Sequence, residues 1–196
     1  MRLFVAIDVG DAVRREAARV VASLTQKLEA AKAPPKVVWV KPAALHVTIK
    51  FPGEVPDAQV PAITAALTPP VPLAPFTLQW RGIGTFPNPR HPRALWLGVV
   101  NGAAALAQLE AEVSRRLAGG RAFGIEDRSF LPHLTLGRVK MPGAGIDWPK
   151  LLHGVEVRHA ESTVDRVTLY RSQLSQFGPN YTGVVSAPLS GVPTNH

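Results

Sequence analysis

The chain has no cysteine among its 196 residues. Disulfides, thiolate-held zinc and a thiol nucleophile are therefore excluded. It also has no apolar run of membrane-spanning length. The first such run, "RLFVAI", stops at Asp8, too early for the core of a signal peptide. A cytoplasmic protein with no membrane association is expected. There is no Lys/Arg block, zinc-finger spacing, glycine-rich phosphate loop, H-E-x-x-H zinc motif or G-x-S-x-G nucleophile turn. Acidic residues are missing from Ala58 to Leu109 and again after Asp165. The formal charge is +8 and the sequence pI is about 10.4, which favours polyanionic partners.

What is present describes a folded globular chain, with 46% apolar and 18% charged residues. Its length suits one domain, or two small lobes sharing a core, over residues 1–196. "RLFVAI" reads as a buried strand. Asp11 is placed to cap a helix with Val13, Ala17, Val20, Val21, Leu24 and Leu28 on one stripe. "VVWV" reads as extended, "FPGEVP" as a turn, and Asp57 to Leu67 as a helix. A proline-rich connector, Pro69 to Pro75, leads to the strand "FTLQW". "FPNPRHPR" is a loop and "ALWLGVV" a strand. A second helix carries Leu106, Leu109, Val113 and Leu117, with Gly119 and Gly120 ending it. "STVDRVTLYRSQL" reads as a late strand. The four tryptophans, Trp39, Trp80, Trp96 and Trp148, read as core or lobe-packing residues.

Two stretches break the apolar pattern in the same way. "LHVTIKF" and "PHLTLGR" each place a histidine and a threonine two positions apart. Strand side chains alternate with a period of two. His46 and Thr48 therefore share one face, with Leu45, Val47 and Ile49 on the other. His133 and Thr135 do the same against Leu134 and Leu136. Only six histidines exist in the chain, and two of them occupy this frame. Each half reads strand, helix, then His-Thr strand. This implies an internal duplication with pseudo-two-fold symmetry, the two polar faces meeting across one cleft.

Two histidines and two hydroxyls suit displacement at phosphorus. One imidazole takes a proton from water while the other gives one to the leaving oxygen. The threonine hydroxyls donate to the non-bridging oxygens, where charge grows in the transition state. Neither motif has a third ligand at metal-site spacing, so no metal and no cofactor are expected. The near-symmetric residues do not themselves say which histidine is the acid.

These residues resemble a known family. "HVTIKF" followed by "PGEV", and "FLPHLTLGR", are similar to the paired H-x-T-x signatures of the two-histidine phosphoesterase superfamily. The closest branch is the RNA 2',3'-cyclic phosphodiesterases, historically called 2'-5' RNA ligases. "MRLFVAI", "GTFPNPRHPRALWLGV" and "QFGPNYTGV" extend the likeness over most of the chain. Pro52 departs from it, standing where the family has an apolar residue such as Leu. The resemblance implies a bilobal α+β fold, each lobe an antiparallel sheet with helices outside and the cleft between. It implies metal-independent opening of an RNA terminal 2',3'-cyclic phosphate to a 2'-phosphate, with 2'-5' joining as the reverse reaction. It makes His46 the proton donor, His133 the proton acceptor, and Thr48 and Thr135 the phosphate-binding pair. A monomer is expected.

Further substrate contacts are expected from Lys50, which shares the strand parity of His46, and from Arg138, which ends its strand on the opposite parity to His133. Phe130 is a candidate base-stacking ring, with core packing as its alternative. Arg90, His91 and Arg93 are candidate RNA-backbone contacts. His153, His159 and His196 read as surface residues. Two other functions fit parts of the pattern: a phosphodiesterase of small cyclic nucleotides, and a non-catalytic RNA-binding module. The second would not need two matched histidines.

Overall fold

The computed structural model describes residues 1–118, 130–176 and 178–192. Nine strands and four α-helices follow in order: β1 Arg2–Asp8, α1 Asp11–Glu29, β2 Lys36–Trp39, β3 His46–Glu54, α2 Val60–Leu67, β4 Phe76–Phe86, β5 Ala94–Asn101, α3 Ala103–Ala118, β6 His133–Met141, α4 Trp148–His153, β7 Glu161–Val164, β8 Arg166–Ser175 and β9 Gly178–Pro188. The strands form two antiparallel sheets, in the orders β3-β1-β8-β9 and β2-β6-β5-β4-β7. This is the expected α+β arrangement with one sheet per lobe.

The duplication is visible in the registers. In the first sheet, Ala6 of β1 lies opposite Thr48 and Asp8 opposite His46. In the second, Trp96 of β5 lies opposite Thr135 and Gly98 opposite His133. The lobes are nevertheless not the two halves of the sequence. β4 follows the first His-Thr strand but pairs with β5 in the second sheet. β8 follows the second His-Thr strand but pairs with β1 in the first. Helices cross as well: α1 packs on β7, and α3 packs on β3 and α2 as well as on β5. The exchange joins the buried faces into one hydrophobic cluster.

The amphipathic helices form as their periodicity predicts. Val13, Ala17, Val20, Leu24 and Leu28 are buried along α1, as are Leu106, Leu109, Val113 and Leu117 along α3. Val21 is only partly buried at the edge of its stripe. Gly10, and not Asp11, occupies the cap position of α1. Asp11 sits in the first turn, where a carboxylate favours the helix dipole, and pairs with Arg14 at 3.3 Å. The expected stop of α3 at Gly119 and Gly120 lies outside the described residues.

Two local readings are corrected. The "FPGE" of the expected turn is the end of β3, which runs through to Glu54. β3 is an edge strand with two register shifts against β1. An edge with bulges is where a strand tolerates proline, which has no N–H for a regular ladder. "STVDRVTLYRSQL" is two strands in different sheets, separated at Asp165. Trp80 and Trp148 are core residues, and Trp39 packs across Gly137.

Candidate active site

His46 opens β3 and His133 opens β6. Val47, Ile49, Leu134 and Leu136 are almost completely buried and fix both strands in the core. Burying each such side chain contributes about 1.5–3 kcal/mol. His46, Thr48, His133 and Thr135 are half-buried on the opposite faces, and β3 and β6 approach within 8 Å between Cα atoms.

Both imidazoles are tethered in the same way. His46 Nδ1 lies 2.8 Å from the Ala44 carbonyl, and His133 Nδ1 lies 2.7 Å from the Leu131 carbonyl. A carbonyl only accepts, so each Nδ1 carries the hydrogen and donates it. In the neutral ring, each Nε2 is thereby the atom with a lone pair able to take up a proton. Burial pushes the pKa of His46 down from the usual histidine value. The Ala44 carbonyl and then the Asp8 carboxylate push it back up, while His133 and Arg138 push it down. For His133, burial again lowers the value most, the Leu131 carbonyl raises it, and Arg138 lowers it. His46 thus feels the charge of His133, and Arg138 acts on both.

Arg138 reaches this group because of a bulge. Gly137 lies opposite Leu95, but Thr135 lies opposite the next residue, Trp96, leaving Leu136 as an extra residue. Leu136 and Gly137 are both buried, and Arg138 is turned out. Strict alternation puts Arg138 on the face opposite His133; the inserted residue reverses the parity, and Arg138 does not end its strand, since β6 runs on to Met141.

Lys50 is held elsewhere. Its ammonium pairs with Glu110 of α3 at 2.9 Å, with both side chains less than a fifth exposed. Glu110 also accepts from Ser114 at 2.7 Å. Phe130 packs against the hydrophobic core. Arg90, His91 and Arg93 are exposed on the loop between β4 and β5. Asn88 Oδ1 accepts the backbone N–H groups of Arg90 and His91, both at 3.0 Å. The Arg93 N–H donates to the Phe86 carbonyl at 2.6 Å, and its carbonyl accepts from Val139 at 3.0 Å. The loop is therefore fastened to the end of β4 and to β6, the strand that His133 opens. His153 and His159 are exposed, and His159 lies 3.1 Å from Glu161; His196 lies outside the described residues.

Several neighbours were not singled out by the sequence. Phe4 lies 4.9 Å from His46 between ring centroids, and Tyr181 meets His46 edge-on at 5.3 Å. Phe86 meets His133 edge-on at 4.9 Å, and Trp96, expected only as a packing residue, lies 6.1 Å from His133. Tyr170 stacks on Phe4 at 5.3 Å and donates to both oxygens of Asp8, at 2.9 and 2.8 Å. Burial first, then Asp8, pushes the Tyr170 phenol up to about 12, so it stays a donor. These residues come from distant strands, and their only sequence signal is a polar or aromatic residue breaking an apolar strand pattern.

Among the described residues, no group of three or more histidine and carboxylate side chains converges as a metal site. Among those residues, too, no helix is long and apolar enough to cross a membrane.

The profile of the 2'-5' RNA ligase superfamily matches residues 9–176. The chain is 33% identical over 193 residues to the RNA 2',3'-cyclic phosphodiesterase of Thermotoga maritima, covering 97% of each. It is 35% identical to the protein of the same name from Thermus thermophilus, covering 97% of this chain and 91% of the other. Among solved structures, TT0787 of Thermus thermophilus superposes with a TM-score of 0.72 at 30% identity, over 97% of this chain and 99% of the other. E. coli LigT complexed with 3'-AMP superposes with a TM-score of 0.67 at 25% identity, over 96% and 97%.

Proposed function

The chain belongs to the 2'-5' RNA ligase superfamily, and from that premise we infer that it hydrolyses the terminal 2',3'-cyclic phosphate of RNA by acid–base catalysis between His46 and His133. It is an RNA 2',3'-cyclic phosphodiesterase, a hydrolase, as are its curated relatives by name. The observation that carries the residue assignment is the matched pair of imidazoles, each tethered through Nδ1 to the carbonyl two residues before it.

In the proposed step, His133 Nε2 takes a proton from water. The water oxygen attacks phosphorus as the bond to the 3'-oxygen breaks. His46 Nε2 gives its proton to that leaving oxygen, and a 2'-phosphate remains. Each role is typically worth about 10²–10⁴-fold. Thr48 and Thr135 hold the non-bridging oxygens, and Arg138 places a positive charge beside them. Joining is not the reversal of this hydrolysis: when an RNA 5'-hydroxyl attacks phosphorus in place of water and the 3'-oxygen leaves, the same residues leave a 2'-5' bond. The enzyme works as a cytoplasmic monomer and needs no metal.

A small cyclic nucleotide is the second reading, favoured by the 3'-AMP complex of E. coli LigT. The exposed Arg90 and Arg93 beside the cleft favour a longer RNA. The test is incubation of a 2',3'-cyclic-phosphate oligonucleotide with the protein in EDTA. A 2'-phosphate product is expected, formed faster than from a cyclic-phosphate dinucleotide. A 3'-phosphate product, or turnover only with added divalent metal, would overturn the mechanism.

A further inference from the structure

The two lobes match in their His-Thr registers and in the Nδ1 tethers of the histidines, but they differ in what stands opposite each histidine. Opposite His46 in the register stands Asp8; at the equivalent place opposite His133 stands Gly98, which has no side chain. Directly opposed residues in an antiparallel pair share a face, with Cβ atoms about 4.5–5.5 Å apart. The Asp8 carboxylate therefore lies on the His46 face. It makes no hydrogen bond to the imidazole, whose Nδ1 is already bonded to Ala44. Its contact is instead with Tyr170, whose hydroxyl bridges both carboxylate oxygens. Tyr170 is in turn stacked on Phe4, the ring that packs against His46.

We propose that Asp8 and Tyr170 are a positioning pair for the proton donor: Tyr170 holds the carboxylate where its charge stabilises the His46 imidazolium, and the lack of any counterpart at Gly98 keeps His133 neutral. This rests on the two-histidine reading above and gives it a physical reason for the direction of proton flow. The Ala44 and Leu131 carbonyls orient both rings alike, so they cannot distinguish acid from base. A carboxylate beside one ring and a glycine beside the other does.

The charged and titratable groups around this pair are few. On His46 act Asp8 from β1, and His133 and Arg138 from β6. Tyr181 of β9 meets the ring edge-on. Arg166 of β8 also feels Asp8, and Arg14 of α1 feels Tyr170. Arg138 and His133 both oppose a proton on His46; among the groups acting on its charge, Asp8 is the carboxylate that favours one.

The test is the pH profile of turnover on a 2',3'-cyclic-phosphate oligonucleotide. Asp8→Asn keeps the shape and removes the charge. Its alkaline limb should move to lower pH, giving about a tenfold loss at pH 8 that shrinks as pH falls toward the acid limb, as expected for one nearby charge. Asp8→Glu should restore much of the loss. Tyr170→Phe should move the limb the same way by less, and the double variant should move it no further than Asp8→Asn alone. NMR titration of the His46 ring should follow the limb, while His133 stays in place. A uniform loss at every pH, or an unmoved His46 titration in Asp8→Asn, would overturn the pairing while wild-type turnover left the two-histidine reading intact. Absence of wild-type turnover would overturn that reading instead.

Discussion

Gly84 sits on β4 opposite Trp96. A Cβ added there would lie 2.1 Å from the indole of Trp96. Carbon atoms pack at about 3.5 Å or more, so in Gly84→Ala the ring must retreat by about 1.4 Å. It cannot retreat alone. Phe86 lies 5.2 Å from Trp96, and both rings border His133. The displacement passes to His133, the proposed proton acceptor, and a misplacement of about 1 Å is worth about 10²-fold in rate. The overpacking itself costs about 1–3 kcal/mol of stability. Gly82→Ala is the matched control. Gly82 has a φ of +72° with nothing within 4 Å of an added Cβ. Alanine in that left-handed conformation costs about 1–2 kcal/mol without touching the site. The two variants should lose similar stability in urea unfolding, but only Gly84→Ala should lose about 10²-fold in initial rate. Wild-type turnover by a folded Gly84→Ala enzyme would refute the inference that these rings position His133.

Lys50→Met should leave turnover within about threefold of wild type but lower stability by about 1–3 kcal/mol, because Glu110 loses its charged partner; urea unfolding checks this. Arg90→Ala and Arg93→Ala should each reduce the slope of log affinity against log salt by about 1 for RNA binding, measured by fluorescence anisotropy. Burial holds the His46 and His133 imidazoles below the usual histidine value. The unfolded chain therefore binds protons at these sites more readily below about pH 6.5. The stability they contribute is complete above that pH and is lost as pH falls. The double variant His46→Ala/His133→Ala should show a shallower decline in urea midpoint from about pH 7 to about pH 5 than wild type.

The placement of the two His-Thr pairs could be read from the sequence because period-two alternation survives at the start of both motif strands. His46 and Thr48, like His133 and Thr135, come out on one face with leucine, valine and isoleucine behind them. Alternation stops being a guide where the ladder is bulged. Alternation alone gives Arg138 the wrong parity because Leu136 is an extra residue, and the end of β3 reads as a turn because Pro52 and Gly53 sit in an irregular edge strand. Lys50 had the right strand but an unforeseen partner, since Glu110 lies on a helix that crosses from the other lobe. The exchange of β4 and β8 between lobes left no local trace. The Asp8–Tyr170 contact spans 162 residues, and nothing in either residue's neighbours announces the other.

The central claim is that His46 gives a proton to the leaving oxygen and His133 takes one from water. The direct measurement is turnover by His46→Ala and His133→Ala on two substrates: a ribose 2',3'-cyclic phosphate, whose leaving 3'-oxygen needs a proton, and an aryl phosphodiester, whose leaving group does not. On the ribose substrate both variants should lose about 10²–10⁴-fold. On the aryl ester His46→Ala should recover most of its rate and His133→Ala should not. Recovery by His133→Ala instead would reverse the roles, and full activity of either variant on the ribose substrate would contradict the two-histidine mechanism.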